Sequence, residues 1–404
     1  MLRHLLKLTW KRKSRNLMLS LEILIAFAIV FALAAFGLRY LQLYRMPLGF
    51  DAADVWSVTV KPGDNGNKRF EEALYDGLRR ELSALPEVKN VGFVTYEPYS
   101  MSTMTSDMRR GGPEGSAGGG TVHTEMIEGD DGAAGVLGLE LADGRWFSKL
   151  DNGAAQRPVV LNRRMAEAMF PGERAVGQQF IEADDRETPQ AYRVVGVVGE
   201  YRGKGELAAP DNFMFTRLEP GKNYRDARTI LLKLRPGTTR DFEQRLNARL
   251  KLVKNDWSYQ ITPLSNMRAS MLKTQTVPLI IVGVIAAFML LMVAFGLFGA
   301  LWQNTTQRIP EIGLRRALGA SASQVYRQIV AEQFMLSSTA IVLGLALLVQ
   351  LPLTGVFGEN LNWPVFAGAA LLSMAAIYLL SLLCAVYPGW RASRLSPTEA
   401  LHYE

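Results

Sequence analysis

Apolar and polar positions are spread unevenly along this 404-residue chain. Leu17 to Gly37 carries a single acid, Glu22, and Val277 to Trp302 carries no charge at all. No charged residue lies between Glu332 and Glu359, and none between Glu359 and Arg391. A helix needs roughly 20 residues to cross a hydrocarbon core of about 30 Å. In lipid, a helix satisfies its own backbone hydrogen bonds. The pattern therefore predicts transmembrane helices at 17–37, 277–302, 332–352 and 365–388. A cleaved signal peptide would fit the basic start of the chain, but the first apolar run continues past Ala34 to Gly37, so a retained anchor is expected.

Between the first and second runs the pattern changes to short periods. Alternation predicts strands at Val55–Lys61, Asn90–Tyr96, Thr121–Ile127, Arg157–Leu161, Tyr192–Val198, Thr229–Leu234 and Ser258–Ile261. Helical spacing predicts helices at Arg69–Leu85 (Phe70, Leu74, Leu78, Leu82), Asn162–Phe170 and Thr239–Leu252. Gly111 to Gly120 holds six glycines and is expected to be a flexible loop. The flanks at 38–45 and 266–277 are poor in Gly and Ser, so they are expected to extend the membrane helices into a stalk. The fold class is thus an α-helical membrane protein with four spans, one before and three after a large mixed α/β domain at 38–276.

Composition sharpens this only slightly. At 49% apolar and 21% charged residues, the chain is neither disordered nor fibrous. The net charge of +7 comes from particular places. Residues 1–16 hold six basic residues and no acid, and 303–331 holds Arg308, Arg315, Arg316 and Arg327 against Glu311. The loop 353–364 has no Lys or Arg. The positive-inside rule then places 1–16, 303–331 and the tail 389–404 in the cytoplasm, with 38–276 and 353–364 outside. The high pI reflects membrane orientation, so no nucleic-acid partner is expected. The single cysteine, Cys384, lies in the fourth run, so the outer domain must stand on its own core without a disulfide.

Motifs for catalysis are missing. No G-x-x-x-x-G-K-[ST] loop occurs, and the three histidines (His4, His123, His402) are far apart in the expected topology. No G-x-S-x-G elbow accompanies His123. This chain is expected to be no enzyme and to hold no cofactor or metal of its own. One soft-metal alternative is Met101, Met104 and Met108 with His123 and Met126, since thioethers bind Cu(I). The plainer reading is a mobile loop whose methionines touch an apolar surface or partner. Glu22 is costly in lipid and is expected to face the cytoplasmic interface or a polar neighbour.

The informative segment is 308–321. Gly313 and the pair Gly319 and Ala320 permit close approach or turning, and Ser321 with Gln324 forms a capping box that starts a helix at Ala322. A basic elbow tied at both ends to membrane helices suits the transfer of a push from a cytoplasmic partner. Arg315 and Arg316 could pair with acids on that partner or with lipid headgroups.

Here the sequence resembles the FtsX/MacB-type ABC transporter permeases, whose R-x-x-E-I-G-x-R-R-A-x-G-A signature is matched by Arg308, Glu311, Ile312, Gly313, Arg315, Arg316, Ala317, Gly319 and Ala320. The tail resembles the family's ending through Pro388, Ala392, Pro397, Glu399, Ala400 and Leu401. The outer segment resembles the MacB-type periplasmic core domain at Gly144 to Phe147, Val159 to Asn162, Phe170, Pro171, Gly177 and Val194 to Val198. The resemblance implies a permease in the inner membrane that dimerises, as homo- or heterodimer, and couples to separate ATPase subunits holding ATP and Mg. It also implies mechanotransmission through the stalk, with 308–321 docking on the ATPase and a periplasmic adaptor as a further candidate partner. Export or efflux is the leading reading. The alternatives are an FtsX-like signalling or scaffold protein acting on an extracytoplasmic partner, or a lipoprotein-release permease.

Overall fold

The computed structural model describes residues 13–63, 70–110, 120–183, 189–219, 227–355 and 361–394, with side chains from Met18 onward. Most of the glycine-rich segment 111–120 and the tail motif Pro397, Glu399, Ala400 and Leu401 lie outside the described residues. The chain divides into two compact units, 43–276 and the combination of 1–42 with 277–404.

The unit 43–276 contains an eleven-stranded mixed sheet. Its elements are β1 (Val55–Lys61), α2 (Glu72–Ser83), β2 (Val88–Val94), β3 (Met104–Arg110), β4 (Val122–Gly129), α3 (Ala133–Leu137), β5 (Leu141–Gly144), β6 (Arg157–Asn162), α4 (Arg163–Met169), β7 (Gln179–Glu182), β8 (Ala191–Val198), β9 (Phe213–Arg217), β10 (Thr229–Leu234), α5 (Phe242–Val253) and β11 (Ser258–Pro263). The first membrane-type helix, α1, is Lys13–Tyr44.

Two lobes follow from the pairing. In the order β11-β1-β10-β2, four antiparallel strands form one lobe. On β1, Trp56, Val58 and Val60 alternate onto a core shared with Leu78 and Leu82 of α2 and Phe242, Leu246 and Leu250 of α5. This period-2 alternation leaves Ser57 and Thr59 on the opposite face. In the second lobe, β4, β3, β7, β8, β6 and β9 pair in sequence, and β9 returns to β4 in parallel, so the ladder closes on itself. Closure removes free edges. Its core holds Met108, Leu161, Phe180, Tyr192 and Met214, and Met165, Met169 and Phe170 cover one end. Asn162 starts the covering helix: its side chain accepts from Met165 N at 2.9 Å and from Phe213 N at 3.0 Å.

The methionine segment is ordered where a mobile loop is expected, while Met108 and Met126 do touch an apolar core. It is a strand, and Met104 and Met108 are buried in the sheet while Met101 precedes the strand and is exposed. Asp107 and His123 face each other across β3 and β4, with Oδ1 and Nδ1 2.8 Å apart. The thioethers of Met104 and Met108 thus serve packing.

A surface clasp supports the second lobe. Arg145 Nη1 and Nη2 donate to the two Asp151 oxygens at 2.7 and 2.5 Å, and Ser148 N donates to Asp151 at 3.0 Å. Burial pushes the Asp151 carboxyl upward, but the Arg145 hydrogen bond and the Ser148 amide outweigh it, so its pKa lies below the usual value. A carboxyl with a depressed folded pKa contributes stability above its unfolded pKa and loses it as pH falls through the folded value. Acid titration of thermal stability below about pH 4 should therefore be steeper in the wild type than in Asp151→Asn. Equal slopes would show that the clasp contributes nothing.

The other unit is helical. Among the described residues, four helices are long and apolar enough to cross a membrane: α1, α6 (Leu264–Thr306), α8 (Ala322–Leu348, followed by the short α9, Gln350–Thr354) and α10 (Trp363–Arg394). Between α6 and α8 lies α7 (Ile309–Ala317). Both expected helical extensions are present: α1 continues to Tyr44, and α6 begins at Leu264 and runs unbroken through Pro278. Ile23, Ala26 and Phe27 of α1 pack against Leu297 of α6, Ala340 and Ile341 of α8 and Ile377 of α10. Gly344 allows the α1–α8 approach, since a Cβ there would lie 2.7 Å from Phe27 Cδ1. Between α8 and α10, the Ser337 and Ser381 hydroxyls are 2.8 Å apart and those of Ser338 and Tyr378 2.9 Å apart. Glu22 lies against the Gly296 backbone, where a Cβ would collide with its carboxylate.

Candidate functional site

The segment between α6 and α8 is a short amphipathic helix. Arg308 occupies the position before its first turn, Pro310 sits in that turn where no intrahelical N–H is needed, and Gly319 ends the elbow with φ +99°. Ser321 then caps α8: its hydroxyl accepts from Gln324 N at 3.3 Å, and Gln324 Oε1 accepts from Ser321 N at 2.9 Å. The capping box and the helix start at Ala322 are as the sequence predicts.

The inner face of α7 is fixed by packing. Ile309, Ile312 and Gly313 are buried, and Ile312 meets Val325 and Ile329 of α8 and Ala392 of α10. Gly389 lets α10 approach α8, because a Cβ there would already lie 3.2 Å from the Tyr326 ring. A polar chain reinforces the seat. Arg308 pairs with Glu332, Gln328 Nε2 donates to Glu332 at 3.0 Å, Arg315 Nη1 donates to Gln328 at 2.7 Å, and Arg315 Nη2 donates to Glu311 at 2.7 Å. Arg316 Nη1 donates to the Ser393 carbonyl at 3.0 Å. Arg315 and Arg316, which the sequence offers to a partner or to lipid, both have partners within the chain.

The outer face is different. Leu314 is 56% and Leu318 81% exposed, next to exposed Pro310, Ala317 and Gly319, and Ala320 is half-buried. The signature residues are therefore brought together on one short helix and its flanking turn, with Arg308 largely covered, the Arg315–Glu311 pair partly exposed, and a leucine pair left outward. Leu314 and Leu318 are the residues the motif reading passed over; their spacing of four was the available signal. Near the same end of the bundle, Trp302 stacks on Tyr387 at 5.8 Å, and the Arg391 guanidinium lies 4.7 Å from the Trp302 ring centre. Aromatic and basic side chains of this kind are enriched at membrane interfaces.

A second constellation lies in the unit 43–276, on the loop after β8. The buried Arg202 donates to the carbonyls of Leu43 at 2.9 Å, Met46 at 3.1 Å and Ala208 at 2.7 Å, and also to that of Glu206. Leu43 belongs to the last turn of α1, whose carbonyls have no intrahelical partner. Glu206 in turn pairs with Arg268 in the first turns of α6, and Gln275 Nε2 donates to the Lys204 carbonyl at 3.3 Å. The Glu206 hydrogen bond, working against partial burial, holds the Arg268 guanidinium above its ordinary value. Within the unit 43–276, one loop thus holds Leu43 and Arg268. Gly49 makes this possible: its φ is +81°, and a Cβ there would overlap the Glu200 carbonyl.

These features define a membrane-type helical unit joined to a large mixed α/β domain. Residues 18–249 match the family of MacB-like periplasmic core domains, and residues 283–397 match the FtsX-like permease C-terminal domain. The chain belongs to this MacB/FtsX type of ABC transporter permease. It is 25% identical over 273 residues to the macrolide export ATP-binding/permease protein MacB of Bdellovibrio bacteriovorus, covering 65% of this chain and 41% of that one. It is 24% identical over 285 residues to the uncharacterized ABC transporter permease YknZ of Bacillus subtilis, covering 68% of this chain and 69% of that one. A pyoverdine export ATP-binding/permease protein PvdT of Pseudomonas syringae is 26% identical, with 80% of this chain and 47% of the relative covered. The chain spans about half or less of the length of these fused ATP-binding/permease relatives. Among solved structures, the periplasmic region of MacB from Actinobacillus actinomycetemcomitans matches 57% of this chain and 97% of its own length at 15% identity and TM-score 0.38.

Proposed function

We propose that this chain is the permease subunit of an export-type ABC transporter, paired with a second permease subunit and driven by separate ATPase subunits that bind ATP and Mg. In this reading the four apolar helices are spans of the inner membrane, one before and three after the outer domain. Both termini and 303–331 are cytoplasmic, as the basic residues there favour. The α7 elbow docks on the ATPase. Its displacement passes along α1 and α6 to the outer domain, and a periplasmic adaptor on that domain completes the route. Family membership supports the class. The observation that carries the docking role is the exposed Leu314 and Leu318 pair on a helix whose opposite face is seated on α8 and α10. Apolar anchors of this kind dominate binding when a partner buries them.

Co-purification with the partner ATPase tests this. Leu318→Glu is expected to abolish capture while the permease remains folded, because Leu318 touches little of its own chain. Glu311→Lys and Arg315→Glu, which break the Arg315–Glu311 pair, are expected to leave insertion intact and uncouple ATP hydrolysis. Undiminished capture by Leu318→Glu, together with wild-type ATPase coupling in the two charge variants, would remove the docking role.

A further inference from the structure

The polar face of the first lobe, opposite its packed core, borders a cleft of about 340 Å³. One wall is the sheet: Ser57 stands opposite Thr262, and Thr59 opposite Gln260, across β1 and β11. The other wall is the start of α6, where Asn266, Ser270 and Thr274 follow one another at intervals of four and so share one helix face. Met267 and Met271, also four apart, form an adjacent apolar strip, and Met101 lies at the cleft as an exposed residue.

Three observations mark this as more than a surface crevice. Ser57 and Tyr99 both line the cleft, are 1% and 5% exposed, and have hydroxyls with no hydrogen-bond partner among the described residues. Buried polar groups are nearly always hydrogen-bonded, so two such hydroxyls beside one cavity call for a polar occupant. Tyr99 is also a non-glycine residue at φ +64°, a conformation that costs free energy and clusters at ligand sites. Its amide donates to the Gly203 carbonyl at 2.6 Å, on the loop that carries Arg202 and Glu206. Burial, and then the Glu206 charge, push the Tyr99 hydroxyl up to about 12 against the opposing effect of Arg268, so it is a neutral donor at physiological pH.

The lining also sets the ligand's chemistry. Glu97 is its one charged residue among those described, and Thr229 Oγ1 donates to it at 3.0 Å. The remaining polar groups are hydroxyls and amides, which can both donate and accept. We infer that this cleft is a binding site for a small hydroxyl- and amide-bearing molecule without negative charge, of amino-sugar size, held between the sheet and the first turns of α6. The volume lies at the lower end of the range for small-molecule pockets. The methionines supply an adaptable apolar wall for the ligand's carbon face.

Ligand-observed saturation-transfer NMR on the full chain in nanodiscs tests the site without any ATPase, so its outcome is separate from that of the proposed transport role. The probes are N-acetylglucosamine, glucosamine and, as an anionic control, glucose 6-phosphate. Saturable transfer to the two amino sugars is expected, with at least tenfold weaker transfer to the phosphate. Thr59→Trp, which fills the cleft from the sheet, should abolish the signal. Ser270→Trp, on the exposed face of α6, should do the same and provides the test where the strand variant fails to fold. Absence of saturable transfer from both amino sugars, equal transfer to the phosphate, or an unchanged signal in the folded tryptophan variants would each overturn the assignment.

Discussion

Arg202→Leu is expected to cause a large loss of stability in the region that joins α1 to the outer domain. The guanidinium satisfies the carbonyls of Leu43, Met46, Glu206 and Ala208 at a site where Arg202 itself is 3% exposed. Leaving one buried polar group unpaired costs roughly 1–3 kcal/mol. The Leu43 carbonyl also accepts from Met46 N at 3.1 Å, so three carbonyls lose their donor, and with partial rescue by water the loss amounts to about 3 kcal/mol. Arg202→Lys keeps the charge but offers a single ammonium in place of the planar fork, so it should recover only part of the loss. Thermal unfolding of the full chain gives the magnitude. Hydrogen exchange at residues 43–48 and 202–208 gives the place, because local opening should be confined there. A wild-type melting curve and unchanged exchange in Arg202→Leu would show that the loop does not hold the end of α1.

The parts of this molecule that are legible in sequence are those governed by local rules. The apolar runs become helices because nothing but length and composition is needed to specify a membrane-type helix. The strands at Val55–Lys61 and Thr229–Leu234 have the expected bounds, since each sets one face on the α2–α5 core. The capping box at Ser321 needs only four residues. Strand β9 was hidden for a physical reason: all five of its residues are buried, so it lacks the alternation of a half-exposed strand. Strand β3 was hidden because methionine and serine are weak strand signals, and its inward face shows only when β4 and β7 pair with it. The in-chain partners of the α7 charges were hidden for a similar reason. These partners, Gln328, Glu332 and Ser393, are 13, 24 and 77 residues distant from the charges, and no spacing rule reaches that far. Arg202 is more extreme, with a partner 159 residues away.

This long-range character makes the pair of Arg308 and Glu332 the sharpest test of how α7 is seated. Both side chains are about one-fifth exposed, so their attraction is only partly screened. At an effective dielectric near 20, two unit charges 4 Å apart interact by about 4 kcal/mol, so changing attraction into repulsion is a matter of several kcal/mol. Arg308→Glu sets a carboxylate against that of Glu332, well inside α8, and should lift the start of α7 off its seat. The Ile312 contact with Val325 and Ala392 should open with it, because α7 is only nine residues long. Limited trypsin digestion reads this directly: Arg315 and Arg316, held by Gln328, Glu311 and the Ser393 carbonyl, should be cut slowly in the wild type and much faster in Arg308→Glu. The double variant Arg308→Glu with Glu332→Arg restores opposite charges and should return cleavage most of the way to wild type, which simple loss of folding would not do. Equal cleavage of the wild type and the single reversal would show that apolar packing around Ile312, and not the charged pair, holds the elbow.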